Sequence, residues 1–192
     1  MSQFNIYLTG VGGQGIGLIS EILLRAADHA GQIVKAVDTH GLAQRGGVVI
    51  SHLRMGEGIF SPLIRQGRAD LVVALECHEA LRGANTALRE GGTLIYYDTV
   101  WQPLDVRLGQ AEPIGKAALQ QTVKRRDIRV IRVFDPALSD ARMQNIAVLA
   151  AIADNRLIPD ISSDHYTAAM KDLMDGDMLN RNMALFEDRQ KS

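Results

Sequence analysis

The run Gly10-Val11-Gly12-Gly13-Gln14-Gly15 constrains this chain more than any other segment, because of what flanks it. Before it, Phe4-Asn5-Ile6-Tyr7-Leu8-Thr9 is short, rich in β-forming residues and reads as a strand. After it, Ile19, Leu23, Ala26, Ala27 and Ala30 recur at helical spacing on one face, and Gly31 stands where a left-handed C-terminal cap belongs. A second strand over 33–37 completes a βαβ unit, whose crossover sets the first two strands parallel.

Further strands are expected over 48–55, 69–75, 93–97 and 128–134. Leu71-Val72-Val73-Ala74-Leu75 is a continuous apolar run of the kind buried on both faces of a parallel sheet, so it belongs near the sheet centre. Cys77 to Leu88 is helical by pattern, with Gly91-Gly92 as its stop. Pro136 and Pro159 bracket another helix around Ile146 to Ala153, and two short helices follow, from Ser162 and from about Asp177, split by Gly176. Of the 18 glycines, 15 lie in residues 1–92, so turn chemistry gives way to helix along the chain. The expected fold is α/β: a Rossmann-like, mostly parallel sheet with helices on both faces and a helical C-terminal tail. It forms one domain over 1–192, with the α/β body over 1–135 and the tail over 136–192.

Composition excludes several functions. A single cysteine can form no internal disulfide and cannot supply the roughly four thiolates of an iron–sulfur cluster. The histidines show no H-x-x-x-H spacing, so no metal site is expected. With Lys+Arg at 21 and Asp+Glu at 22, no global field attracts nucleic acid or anionic lipid. The amino terminus carries no signal-peptide pattern, and no apolar run reaches the roughly 18 residues of a membrane span. A cytoplasmic location is the expectation.

Two loops carry the candidate binding chemistry. Gly10, Gly12 and Gly15, with Gly13 and Gln14 between them, fit G-x-G-x-x-G between a strand and a helix, where exposed N–H groups and the helix dipole favour an anion. Asp38, 23 residues beyond Gly15, stands where a dinucleotide fold places its ribose-binding acid. The second loop holds His40, Gln44, Arg45, Gly46 and Gly47; the Arg45 guanidinium can clamp two oxygens of a phosphate or carboxylate while the glycines let backbone amides approach. The bland alternatives are a ligand-free strand-to-helix turn and an arginine tying down its own loop. No residue is singled out as catalytic.

Elsewhere the structural reading is preferred. Cys77 reads as inert core, Glu76 and Glu79 as helix-dipole partners, and Lys124-Arg125-Arg126 with Arg129 and Arg132 as a solvated helix end rather than a docking site. Met170, Met174, Met178 and Met183 read as core filling, with subunit contact the second choice.

Together, Gly10 to Gly15, His40-Gly41-Leu42-Ala43-Gln44-Arg45-Gly46-Gly47 and Ser51-His52-Leu53-Arg54 resemble the gamma subunits or gamma domains of the 2-oxoacid:ferredoxin oxidoreductases, in particular the beta subunits of indolepyruvate ferredoxin oxidoreductase. Ala69-Asp70-Leu71, Glu76, Glu79-Ala80, Arg82, Asn145, Leu149 and Asn182 extend the resemblance over essentially the whole chain. Val48 and Asp98 depart from the pattern, which leaves the substrate subtype open. The resemblance implies a subunit of an indolepyruvate- or pyruvate-type oxidoreductase that decarboxylates a 2-oxoacid to an acyl-CoA and passes electrons to ferredoxin. Thiamine diphosphate and iron–sulfur clusters are expected in alpha- and beta-type partner subunits, coenzyme A at the two glycine loops, and no activity in the isolated chain. A homodimer is compatible with this reading. The rival from another class is an autonomous NAD(P)-binding dehydrogenase, supported by the same glycines and Asp38. A nucleotide-polymerising protein of the tubulin type is disfavoured, because the second glycine-rich loop it needs is missing.

Overall fold

The computed structural model describes residues 3–39, 47–101, 108, 116–138 and 140–189. Six strands, β1 (Phe4–Val11), β2 (Val34–Thr39), β3 (Val48–Met55), β4 (Ala69–Ala74), β5 (Leu88–Tyr97) and β6 (Arg129–Val133), form one sheet in the order β2-β3-β1-β4-β5-β6. The pairs β1–β4, β4–β5 and β5–β6 are parallel, whereas β3 runs antiparallel to both β1 and β2. The first two strands thus run the same way but are not neighbours, because β3 inserts between them.

Helices cover both faces. On one, α1 (Ile16–His29) packs with α4 (Gln144–Asp154), α5 (Ser163–Leu173) and α6 (Gly176–Arg189) in a core that takes Ile6, Leu8, Leu71, Val73 and Ile95 from the sheet. On the other, α2 (Cys77–Thr86) and α3 (Lys116–Arg125) cover Tyr7, Val72, Ala74, Leu94 and Tyr96. The alternation along each strand explains the division: in β4, Leu71 and Val73 point to one face and Val72 and Ala74 to the other, and all four are apolar and buried. The helices of the C-terminal tail share one layer with α1. His29 Nε2 lies 2.7 Å from Asp172 Oδ2, joining the end of α1 to α5.

Local chemistry sets the helix ends. Gly31 adopts φ +69°, and its N–H and that of Gln32 return to the carbonyls of Asp28 and Ala27, closing α1 as expected. The stop assigned to Gly91-Gly92 is corrected. α2 ends at Thr86, and both glycines lie inside β5, past a register shift between Ala69 and Leu71 of its partner strand. A glycine pair reads alike as a helix stop and as a strand irregularity; the parallel pairing with β4 decides. Among the described residues, no helix is long and apolar enough to cross a membrane.

Candidate functional site

β1 and β4 are adjacent and parallel, yet the helix after β1 packs on one face of the sheet and the helix after β4 on the other. Their carboxyl ends therefore open a crevice of the kind where α/β sheets bind ligands. The glycine turn forms one wall. Its base is stitched by Gln14, whose Oε1 accepts from Val11 N at 2.7 Å and whose Nε2 donates to Leu75 O at 3.0 Å. Gln14 is only 1% exposed, so its side chain serves the turn, and what the turn presents to the crevice is backbone. Gly12 N donates to Gly47 O at 2.8 Å, which brings the end of the second predicted loop onto the first.

Gly15 begins α1 in a left-handed conformation, φ +84°, and no side chain caps the helix. The first helical bond is Ile19 N to Gly15 O, leaving the N–H groups of Ile16, Gly17 and Leu18 without partners inside the helix. No acidic residue of the helix itself lies in the first turn to offset the dipole. Gly10 has no room for a Cβ, because one would stand 2.9 Å from Ile16 Cδ1. A Cβ on Gly13 would stand 3.9 Å from the Trp101 ring, which places that indole beside the turn.

The turn opens on a cleft of about 360 Å³, where Gly13, Gly15 and Leu18 face Arg142, Asn145, Met178 and Arg181. Arg142 is oriented by Asp140, whose two carboxylate oxygens accept from its Nε and Nη2 at 2.7–3.0 Å. The Arg142 guanidinium, with Arg181 assisting, holds the Asp140 carboxyl down to about 2. These cationic groups escaped the sequence reading. Met178, Arg181 and Asn182 share one face of α6 at helical spacing, and the methionines drew that face toward a core assignment. Met170 and Met174 are indeed core, whereas Met178 is 45% exposed at the cleft. A larger cleft of about 660 Å³ between Ala153 and Asp164 gathers none of the predicted residues.

The remaining candidates divide. His40, Gln44, Arg45 and Gly46 lie outside the described residues. Asp38, two strands away from β1, accepts from Ser20 Oγ at 3.3 Å, so one carboxylate oxygen is engaged with α1. Cys77 is buried and donates to Asp98 Oδ1 at 3.3 Å. Glu76 caps α2 by accepting from Glu79 N, and His78 Nδ1 lies 2.9 Å from its other oxygen. Arg126, inside the basic cluster, is largely buried and bonded to Glu90 and to the carbonyls of Ala84 and Leu88. Arg132 pairs with Asp98. Among the described residues, no three His, Cys, Asp or Glu side chains are grouped to hold a metal ion.

Fold and site define a three-layer α/β domain with a glycine turn and an uncapped helix start at a strand-switch crevice. Residues 5–188 match the pyruvate ferredoxin/flavodoxin oxidoreductase family, and the chain belongs to that family. It is 31% identical over 190 residues to the indolepyruvate oxidoreductase subunit IorB of Methanothermobacter thermautotrophicus, covering 97% of this chain and 95% of that one. Against IorB of Thermococcus kodakarensis the identity is 39% over 111 residues, 58% of this chain and about half (54%) of the relative's length. The gamma subunit of a keto/oxoacid ferredoxin oxidoreductase from Geobacter sulfurreducens has the same fold, with TM-score 0.65, 21% identity and coverage of 98% and 96%. A 2-oxoglutarate:ferredoxin oxidoreductase from Magnetococcus marinus, solved with 2-oxoglutarate, coenzyme A and succinyl-CoA bound, superposes with TM-score 0.71 at 17% identity. All of this chain is covered, and 31% of that longer one.

Proposed function

We propose that this chain is the small subunit of a 2-oxoacid:ferredoxin oxidoreductase of the indolepyruvate or pyruvate type, and that its glycine turn receives the phosphates of coenzyme A. The carrying observation is the uncapped amino terminus of α1 opening on a cleft with two arginines. Membership of the pyruvate ferredoxin/flavodoxin oxidoreductase family supports this reading, in which the complex oxidatively decarboxylates a 2-oxoacid with an iron–sulfur protein as acceptor.

The residues fit the cofactor. Coenzyme A joins phosphates to an apolar, flexible arm, and the cleft joins N–H groups without helical partners and Arg181, with Arg142 held by Asp140 beside it, to Leu18, Met143 and Met178. When bound, coenzyme A supplies the thiol that accepts the acyl group. This chain's residues hold and orient the nucleotide end; thiamine diphosphate and the clusters belong to partner subunits, and the isolated chain is inactive.

The test is reconstitution with the thiamine- and cluster-bearing partners. The complex should reduce ferredoxin with a 2-oxoacid only when coenzyme A is present. Arg181→Ala should raise the KM for coenzyme A about tenfold, the order of one lost charge-assisted bond, with kcat little changed. Arg45→Ala tests the other loop in the same assay. Unchanged KM in both variants would remove coenzyme A from this turn. Tight binding of NAD or NADP by the isolated chain would favour the dehydrogenase reading instead, although the insertion of β3 beside β1 keeps Asp38 from the neighbouring-strand position that reading requires.

A further inference from the structure

A second surface lies at the opposite end of the sheet from the glycine turn. β1 runs from Phe4 to Val11, so the two ends stand about 25 Å apart at ~3.3 Å per residue. At the far end, the segment between β3 and β4 displays Phe60 at 94% exposure and Leu63 at 56%, beside a groove of about 580 Å³. Among the described residues that groove is lined by Arg54, Arg65 and Arg68 and by no carboxylate.

The display is held in place from below. His52 and Arg54 alternate along β3 onto one face, and both grip the segment. His52 Nδ1 accepts from Ile64 N at 3.1 Å, and Arg54 Nη1 donates to Ser61 O at 2.9 Å. Burial pushes His52 below its ordinary value, which keeps Nδ1 an acceptor, and its ring packs edge-on against Tyr7 at 5.2 Å. Arg54 completes its bonding with Asn5 Oδ1 and Gln3 Oε1, both neutral. Its charge is fixed, and no described carboxylate pairs with it. Arg65 and Arg68 make no ion pair with a described residue, and the nearby Asp70 carboxylate is engaged by Arg89 at 2.7 Å and by Asn5 N.

We propose that this surface docks an acidic segment of a partner subunit, with Phe60 entering an apolar recess and Arg54, Arg65 and Arg68 meeting carboxylates. An aromatic side chain ringed by arginines is the composition of an energetic centre in protein interfaces, where one apolar anchor carries affinity and surrounding charge sets registry and on-rate. A fully presented Phe beside the arginines favours a protein over a free phosphate, which offers nothing to bury. The segment's rigidity lowers the ordering entropy of association. The placement leaves the glycine turn free for its own ligand. The proposal rests on the subunit assignment above.

The test measures assembly of the full chain with the thiamine- and cluster-bearing partners. Phe60→Ala and the double variant Arg65→Glu/Arg68→Glu should each raise Kd about tenfold or more, as loss of an interface centre does. The wild-type affinity should fall with salt, and the charge-reversed variant should lose most of that dependence. All three side chains are exposed, so the thermal midpoint of the isolated variants should stay at the wild-type value, and that separates docking from folding. Wild-type assembly with both variants binding equally tightly overturns the docking surface alone. Failure of the wild-type chain to assemble overturns the subunit assignment as well. A dimer of the isolated chain that Phe60→Ala dissolves assigns the surface to a second copy and overturns the acidic partner.

Discussion

The side-chain amide of Asn145 donates to Gly15 O at 3.4 Å and fills the space a Cβ on Gly15 would need, which would lie 2.4 Å from its nitrogen. One residue of α4 thus supports the turn that starts α1. Gly15→Ala meets two obstacles, φ +84° and that contact, and should lower unfolding free energy by about 1–3 kcal/mol. Adding Asn145→Ala removes the contact but leaves the dihedral, so the double variant should recover only part of the loss. Urea denaturation of the single and double variants checks this. Full recovery would mean that the contact alone enforces glycine.

The Gln14 side chain makes two of the hydrogen bonds that hold the turn, with Val11 N and Leu75 O. Gln14→Leu keeps most of the volume and strands a donor and an acceptor, each costing about 1–3 kcal/mol when buried. The variant should unfold at distinctly lower urea, with hydrogen exchange at the Val11 amide accelerated ahead of the sheet centre. Exchange accelerated equally throughout β1 and β4 would assign the loss to global stability and leave no local role for the turn.

These residues show what was legible in advance and what was not. The strand, turn and helix of residues 4–31 were readable because each leaves a local mark: β-forming residues, glycines, apolar spacing of three and four. The position of β3 between β1 and β2 was not, since pairing direction depends on where a chain returns and Val48–Met55 alternates alike in either direction. Gln14 is a binding candidate only through its place in the glycine turn; the fold shows its side chain turned inward. Arg142 and Arg181 reach the cleft from segments more than a hundred residues beyond the glycine turn, and no local pattern connects them to it.

Gly83 lets α2 approach the sheet closely. A Cβ there would lie 2.7 Å from Val72 Cγ1 on β4 and 3.5 Å from Thr9 Cγ2 on β1. The helical backbone tolerates alanine, so Gly83→Ala isolates overpacking, expected to cost about 1–3 kcal/mol. Pairing it with Val72→Ala should give a positive coupling, since one change makes room for the other. Additive losses in a double-mutant cycle would mean that α2 shifts away from β4 as a whole.

Directly below that contact, Glu79 is buried without full compensation. Its Oε2 accepts from Thr9 Oγ1 at 2.7 Å, while Oε1 stands 3.1 Å from Arg82 Nε without a hydrogen bond. Burial raises its carboxyl above the ordinary 4.5, against the pull of Thr9 and Arg82. Arg82 is half exposed, so solvent screens its share. The folded protein therefore holds this proton more tightly than the unfolded chain does. The resulting stability is complete below about pH 4.5 and is lost as pH rises through the folded-state value. Glu79→Gln keeps an acceptor for Thr9 and carries no charge. The difference in unfolding free energy between variant and wild type should move in favour of Gln as pH climbs from about 4 to 7, the span above the ordinary carboxylate range. A difference independent of pH, or one moving toward the wild type, would mean that Arg82 compensates the charge in full. The buried carboxylate would then be an ion-pair partner in the folded state rather than a strained acid.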